Sequence, residues 1–267
     1  MGTLQNILEG RNEGENGGIS EMDCISWWLY NCLTTKCDYS RMLSKFRVPF
    51  TYNNNAIENI TIPLELTESI FNGAARPKGM KESDAMAIRN HKVIMFQMVQ
   101  ELKNEISLSN ELVQLYHSML MTSCYTDEAW QKGEKPGAYR KCDMCVGMTD
   151  VGSAAGDVVD EMTSLLTEMD EAKIESIQDR FIAAAYFHLK FENIHPFYDG
   201  NGRVGRLLLN YFLIQYGLPP IIVFDADKAY YYLCLELFDN TGDIDSFIKF
   251  MKMEMIKTWK SSIEKYM

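Results

Sequence analysis

The twelve residues His195 to Arg206 read HPFYDGNGRVGR and hold a histidine, an aspartate, a glycine-rich turn and two arginines. Side chains of these types, this close together, can handle a phosphate. Gly200 and Gly202 permit backbone angles with positive φ, where successive N–H groups can turn toward one anion. A helix starting near Asn201 would add its free N–H groups and the positive end of its dipole. Arg203 and Arg206 are three apart on that helix, so both guanidinium groups lie on one face, within reach of a polyphosphate. Asp199 beside the turn suits Mg²⁺, which takes one or two protein carboxylates and completes its octahedron with water and phosphate oxygens. His195 precedes Pro196, which favours an extended conformation off the helix, at the rim where it can act as a general base. On residue types alone the stretch also fits a kinase-like phosphate cradle.

Elements on both sides must position this stretch. Phe181 to Phe191 and Leu207 to Tyr216 are apolar with helical spacing, so the loop joins two buried helices. Other helices are expected from Met22 to Phe46, from the TIPLELTES run at Thr61 to Gly73, from a Ser83 or Asp84 cap to Asn104, and from Ser109 to Leu120. Further ones are expected at Asp157 to Thr167, Ser176 to Phe191, Lys228 to Phe238 and Asp243 to Lys265. Adjacent Trp27 and Trp28 prevent a clean one-face assignment for the first of these. Tyr139 to Met148 reads as a short hairpin ahead of the GSAAG turn at Gly152. The chain is therefore expected to be mainly α with one short β element.

Composition narrows the functions open to the chain. Its 267 residues, 46% of them hydrophobic, can bury a substantial core. A formal net charge of −11 argues against a nucleic-acid surface. No stretch is long and apolar enough to span a bilayer, and the start MGTLQNILEGRNEGENGG shows no secretory pattern, so cytoplasmic residence is expected. Seven scattered cysteines do not read as a disulfide framework, and Cys142 and Cys145 form a C-x-x-C pair with no second pair to complete a zinc site. Seventeen methionines at helical spacings read as core filling.

His195, Phe197, Asp199, Gly200, Asn201, Gly202, Arg203 and Arg206 match every specified position of H-x-F-x-[D/E]-G-N-G-R-x-x-R, and in this the chain resembles the Fic family. FTYNNNAIEN at Phe50 resembles the family's upstream inhibitory pattern [S/T]-x-x-x-E-[G/N], and PGAYR at Pro136 resembles the P-G-x-[Y/F]-R that leads into a β-hairpin flap. The resemblance implies a Fic-like helical bundle with a short β-hairpin flap next to the active-site loop. It divides the chain into an N-terminal segment 1–49, a catalytic domain 50–252 with an inhibitory helix near 54–59, and a C-terminal helix end 253–267.

The activity implied is transfer of AMP from ATP, with Mg²⁺ or Mn²⁺, to a Tyr, Thr or Ser hydroxyl of a target protein, which can be the chain itself. A phosphate-transferring branch carries Lys where this chain has Gly202. By resemblance, His195 is the base, Asp199 the metal ligand, and Gly200, Asn201, Gly202, Arg203 and Arg206 the phosphate site. Val146, Gly147, Met148 and Thr149 would cover the nucleotide, and Tyr231, Tyr232 and Asn240 would lie near the adenosine, Asp239 aligning almost as well as Asn240. Glu58 would restrain the enzyme by competing for Arg206, although Asn54 stands where the pattern has Ser or Thr. An ordinary solvated helix carboxylate fits Glu58 as well. Three other functions remain open: removal of AMP from a modified protein, transfer of another nucleotide or a phosphate, and a non-enzymatic nucleotide-sensing module. Family members often form homodimers, which the sequence does not test.

Overall fold

Ser176 begins the helix that ends at the histidine. Its hydroxyl accepts from the Asp179 N–H while the Asp179 carboxylate accepts from the Ser176 N–H, a capping box that satisfies two donors at the helix N-terminus. In the computed structural model, which describes residues 18–36, 38–146 and 149–265, with strand residues 145, 146 and 149–151 described by backbone alone, that helix spans Ile177–Ile194. In chain order the elements are α1 (Glu21–Thr35), α2 (Tyr39–Met42), α3 (Arg47–Ala56), α4 (Leu64–Phe71), α5 (Glu82–Lys103), α6 (Asn110–Met121) and α7 (Asp127–Gln131). After β1 (Met144–Val146) and β2 (Thr149–Val151) come α8 (Val158–Glu171), α9 (Ile177–Ile194), α10 (Asn201–Gln215), a 3₁₀ turn at Asp225–Asp227, α11 (Lys228–Thr241) and α12 (Asp245–Ile263).

The centre of the molecule is the pair α9 and α10. Phe181, Ala184, Phe187, His188, Phe191 and Ile194 of α9 are buried, a run at helical spacing, while α10 is buried along nearly its whole length. A helix without a polar face must be enclosed by others. α4 packs on α3 and α5, while α6, α8, α11 and α12 complete the enclosure around the central pair. α1 closes on α12, and there both neighbouring tryptophans are buried, with Trp27 and Trp28 ring centroids 5.2 and 5.6 Å from that of Trp259.

Several expectations need correction. The first helix is not continuous from Met22 to Phe46: Lys36 takes a left-handed conformation (φ 52°) that ends α1, and two shorter helices follow. Neither Ser83 nor Asp84 caps α5, which starts at Glu82 behind Lys81 with no side-chain cap. The fold class with a β-hairpin flap is also corrected. The architecture is helical, and the segment read as a flap contributes only two three-residue strands, paired from Met144↔Val151 to Val146↔Thr149. An isolated ribbon that short has little stability of its own, and no flap over the active-site loop is part of the described fold. Tyr139 to Asp143, expected within the hairpin, lies outside the strands.

Candidate active site

The loop between α9 and α10 is closed by its own asparagine. Asn201 accepts from the Phe197 N–H at 2.8 Å and donates to the Phe197 carbonyl at 2.7 Å, which folds residues 197–201 into one turn. Gly200 ends that turn at φ 85°, a conformation that strains any L side chain, and a Cβ there would also press on the Met121 side chain, its sulfur 2.6 Å away. α10 begins at Asn201 as the residues suggest. Its first intrahelical bond runs from the Val204 N–H to the Gly200 carbonyl at 3.0 Å, so the N–H groups of Asn201, Gly202 and Arg203 precede it at the positive end of the dipole. The loop is seated by Phe197, fully buried and stacked on the His117 ring at 3.7 Å between centroids and 5° between planes.

His117 also fixes Asp199. Its Nδ1 accepts from the Gly137 N–H at 2.7 Å, so the proton sits on Nε2, which donates to the Asp199 carbonyl at 2.9 Å. The Asp199 carboxylate faces outward, 53% exposed, with Oδ1 at 3.2 Å from the Arg203 guanidinium. It lines a cavity of about 240 Å³ together with Glu58, Ile60, Ser83, Asp84, Cys124 and Arg203. Among the described residues no three His, Cys, Asp or Glu side chains converge as an all-protein metal cage. One open carboxylate fits Mg²⁺, a hard cation whose remaining positions substrate phosphate and water can fill. The Arg203 Nε is buried without a partner, a donor beside the same turn that an anion would satisfy.

His195 does not take the extended conformation expected before proline. It caps α9 with φ 52° and ψ 60°, its N–H bonded to the Phe191 carbonyl at 3.0 Å, because the left-handed cap satisfies the helix end while still avoiding the right-handed region that proline disfavours. Arg140 of the PGAYR run holds that position. Its Nε donates to the His195 carbonyl at 2.8 Å, other guanidinium hydrogens reach the Cys142, Ser153 and Ile194 carbonyls, and its N–H bonds the Pro196 carbonyl at 2.9 Å. Gly152 lies so close that a Cβ would meet the His195 Cβ at 2.7 Å. Burial pushes the His195 pKa down, and the Arg140 charge adds to this against the opposing Glu192 carbonyl and the Glu58 and Asp199 carboxylates. A neutral imidazole at neutral pH is the form that accepts a proton.

Glu58 and Arg206, 148 residues apart, meet at 2.6 Å. Arg206 is only 2% exposed and Glu58 29%. Burial alone would raise the Glu58 pKa, but Arg206 outweighs it and the carboxyl lies below its ordinary value; Glu58 in turn raises Arg206 against burial. The pair sits over Gly202, where a Cβ would come within 2.4 Å of Glu58 Oε1 and 2.8 Å of Arg206 Nη1. Glu58 is not part of a helix over 54–59. It follows the end of α3 in a turn that Asn59 closes at φ 60°. Asn54 lies inside α3 and caps nothing; its side chain reaches Arg206, Arg203 and His91.

The residues expected near the adenosine differ in exposure. Tyr231 is buried, its hydroxyl 3.0 Å from His188 Nε2 and its ring below the Arg206 guanidinium at 5.6 Å, so its faces are taken up by the core. Tyr232 and Asn240 are exposed on α11, and Asp239 is tied to Asn193 at 2.8 Å. Gly147 and Met148 lie outside the described residues, and Val146 and Thr149 are described by backbone alone. Sequence reasoning missed the anchoring roles of His117, His91 and Arg140. Only Arg140 had a signal, as the last residue of PGAYR.

Residues 107–213 match the model of the Fic/DOC family. Among curated relatives, the protein adenylyltransferase Fic of Nematostella vectensis is 28% identical over 204 residues, covering 75% of this chain and 45% of that protein. The protein of the same name from Drosophila persimilis is 48% identical over 68 residues, 26% of this chain and 13% of that protein. The chain thus spans less than half the length of these relatives. The crystal structure of a Fic domain containing signaling protein from Bacteroides thetaiotaomicron superposes with a TM-score of 0.73 at 22% identity, over 90% of this chain and 96% of that one, which establishes the shared fold.

Proposed function

We propose, on the match of residues 107–213 to the Fic/DOC family model, that the chain is a protein adenylyltransferase, moving AMP from ATP to a Tyr, Thr or Ser hydroxyl of a target protein. The observation that carries this reading is a neutral histidine cap directly preceding a turn that offers free helix N–H groups and the orphaned Arg203 Nε. The name protein adenylyltransferase carried by the relatives supports it. In this reading the target hydroxyl oxygen attacks the α-phosphorus and its proton passes to His195. The bond from that phosphorus to the α–β bridging oxygen breaks, and pyrophosphate leaves. Gly200, Asn201 and Gly202 hold phosphate oxygens, while Arg203 and Arg206 neutralise the departing charge. Bound Mg²⁺ or Mn²⁺ supplies further charge neutralisation at the phosphates, with Asp199 as its protein ligand. Tyr232 and Asn240 are the proposed adenosine contacts, and Tyr231 is the ring beneath Arg206.

Glu58 restrains this activity by occupying Arg206, the proposed ligand of the γ-phosphate. Removing Glu58 leaves a buried cation without its anion, which favours taking up a phosphate there. Incubation with ATP labelled at the α-phosphate tests the proposal. Glu58→Gly should transfer the label to itself or to a lysate protein faster than the native chain, and ATP labelled at the γ-phosphate should transfer nothing. Transfer of γ-label alone would assign the chain to phosphate transfer instead. Glu58 also lines the cavity that Asp199 lines, which favours a second reading: water oriented by Glu58 attacks the phosphorus of an adenylylated target and releases AMP. Release that is lost in Glu58→Gly would select it.

A further inference from the structure

Asn54 makes four contacts, three of them through a side-chain amide whose bonds no serine or threonine hydroxyl could reproduce together. Its Oδ1 accepts from Arg206 Nε at 2.6 Å, its backbone carbonyl accepts from Arg206 Nη2 at 3.2 Å, and its Nδ2 donates to the Arg203 carbonyl at 3.1 Å and reaches His91 Nε2 at 2.9 Å. A hydroxyl has one hydrogen to donate, whereas the amide has two and keeps its oxygen free. The surroundings fix which way the amide points. His91 Nδ1 lies 2.7 Å from the Ala87 carbonyl, which needs a proton on Nδ1 and so leaves Nε2 an acceptor in the neutral ring. With His91 Nε2 and the Arg203 carbonyl both requiring donors, Nδ2 must face them and Oδ1 must face Arg206. Asn54 is 2% exposed and His91 1%, so water does not compete for these bonds.

We infer that Asn54 is a positioning residue for Arg206, holding the guanidinium in one place whether Glu58 or a terminal phosphate occupies it. Two contacts of Arg206, from Nε and from Nη2, go to Asn54 and do not involve Glu58. Glu58 takes a hydrogen on Nη2 from the cavity side, so its departure vacates that hydrogen without releasing the side chain. The residue at the place of the pattern's Ser or Thr therefore serves binding as well as restraint. This rests on the reading of Arg206 as the terminal-phosphate ligand. It requires substitutions at 54 and 58 to act in opposite directions, whereas a residue that merely shaped the inhibitory segment would act in the same direction as Glu58.

The first measurement needs no nucleotide. The Arg206 Nε–H resonance of the full chain, assigned by its loss in Arg206→Lys, should stay protected from solvent exchange in Glu58→Gly and lose protection in Asn54→Ala. Loss of protection in Glu58→Gly, or its persistence in Asn54→Ala, overturns the inference. The second measurement is the ratio of ATP to ADP affinity by calorimetry. In the Glu58→Gly background, Asn54→Ala should lower that ratio about tenfold, the scale of a hydrogen bond to a charged group, and Asn54→Ser, whose single hydroxyl cannot serve Arg206, His91 and the Arg203 carbonyl together, should lower it as well. An unchanged ratio in Asn54→Ala/Glu58→Gly counts against it. If Asn54→Ala does not fold, Asn54→Ser and the Glu58→Gly resonance still decide. If Glu58→Gly transfers no AMP, the proposed function fails while the resonance continues to judge Asn54.

Discussion

His195 acquires its place from the end of a helix and its protonation state from burial. The left-handed cap turns the residue out of α9, and Arg140 fixes its carbonyl at 2.8 Å. Replacing it with alanine should lower AMP transfer by about 10²- to 10⁴-fold while leaving ATP affinity within a few-fold, since the phosphate contacts come from α10 and its arginines. Transfer rate and nucleotide binding measured on the same preparation check this. Because the pKa is lowered, the rate should rise with pH through a value below the ordinary 6.5 and be level by neutrality; a rate still climbing above pH 7 would contradict that assignment. The proposed base and phosphate turn could be read as a pattern in twelve consecutive residues, and the bonds that close the turn, between Asn201 and Phe197, are local. Arg140 and His117 were not legible as anchors, since they meet His195 and Asp199 from 55 and 82 residues away.

At the scale of elements, the proposed restraint depends on how α3 ends. The Asn59 N–H bonds the Ala56 carbonyl at 2.8 Å, the Ile60 N–H returns to the Asn55 carbonyl at 3.0 Å, and Asn59 adopts φ 60°, which aims Glu58 back at α10. Lys228 ties the same residue to α11 through Asn59 Oδ1 at 3.0 Å. Glycine accepts this geometry, whereas a β-branched residue is strained there by about 1–2 kcal/mol. Asn59→Gly should therefore keep the native level of restraint. Asn59→Val should raise AMP transfer toward that of Glu58→Gly, and a Val variant as quiet as the native chain would show that the turn does not set Glu58. The carboxylate and its asparagine could be read from sequence as a pattern. That Asn54 lies within a helix and reaches Arg206 could not, because asparagine marks a helix start more often than an interior and its partner lies 152 residues away.

The whole molecule encloses its central helices so fully that several titratable groups lose water. Burial lowers His91 and His117 to about 4 and His188 to about 3, and raises Glu192 to about 7 and Glu254 to about 8. The two glutamates hold protons in the native state that the unfolded chain has released, so stability falls as pH rises through 7 and 8. The three histidines bind protons only in the unfolded chain between 6.5 and about 4, so stability falls as pH drops through that range. The glutamates offset part of the fall down to about 4.5, below which they no longer differ between the two states. Thermal midpoints should therefore show a broad maximum near pH 6 to 7 and a steep loss below about 4.5; a midpoint still increasing at pH 4 would refute this balance. The helical class was legible from apolar spacing, and Ser109 and Ser176 marked helix starts that the structure keeps. The strand content was overestimated because a glycine-rich, polar connection carries the same turn residues as a hairpin.

HPFYDGNGRVGR is proposed to transfer AMP under the control of Glu58. Intact-mass spectrometry after incubation with ATP and Mg²⁺, on the native chain, Glu58→Gly and Glu58→Gly/His195→Ala with a lysate or the chain itself as target, tests it most directly. The expected result is a mass gain of one AMP that is strongest with Glu58→Gly and absent from the double variant. A gain of one phosphate would show phosphate transfer instead, and an AMP gain that persists without His195 would show that His195 is not the base.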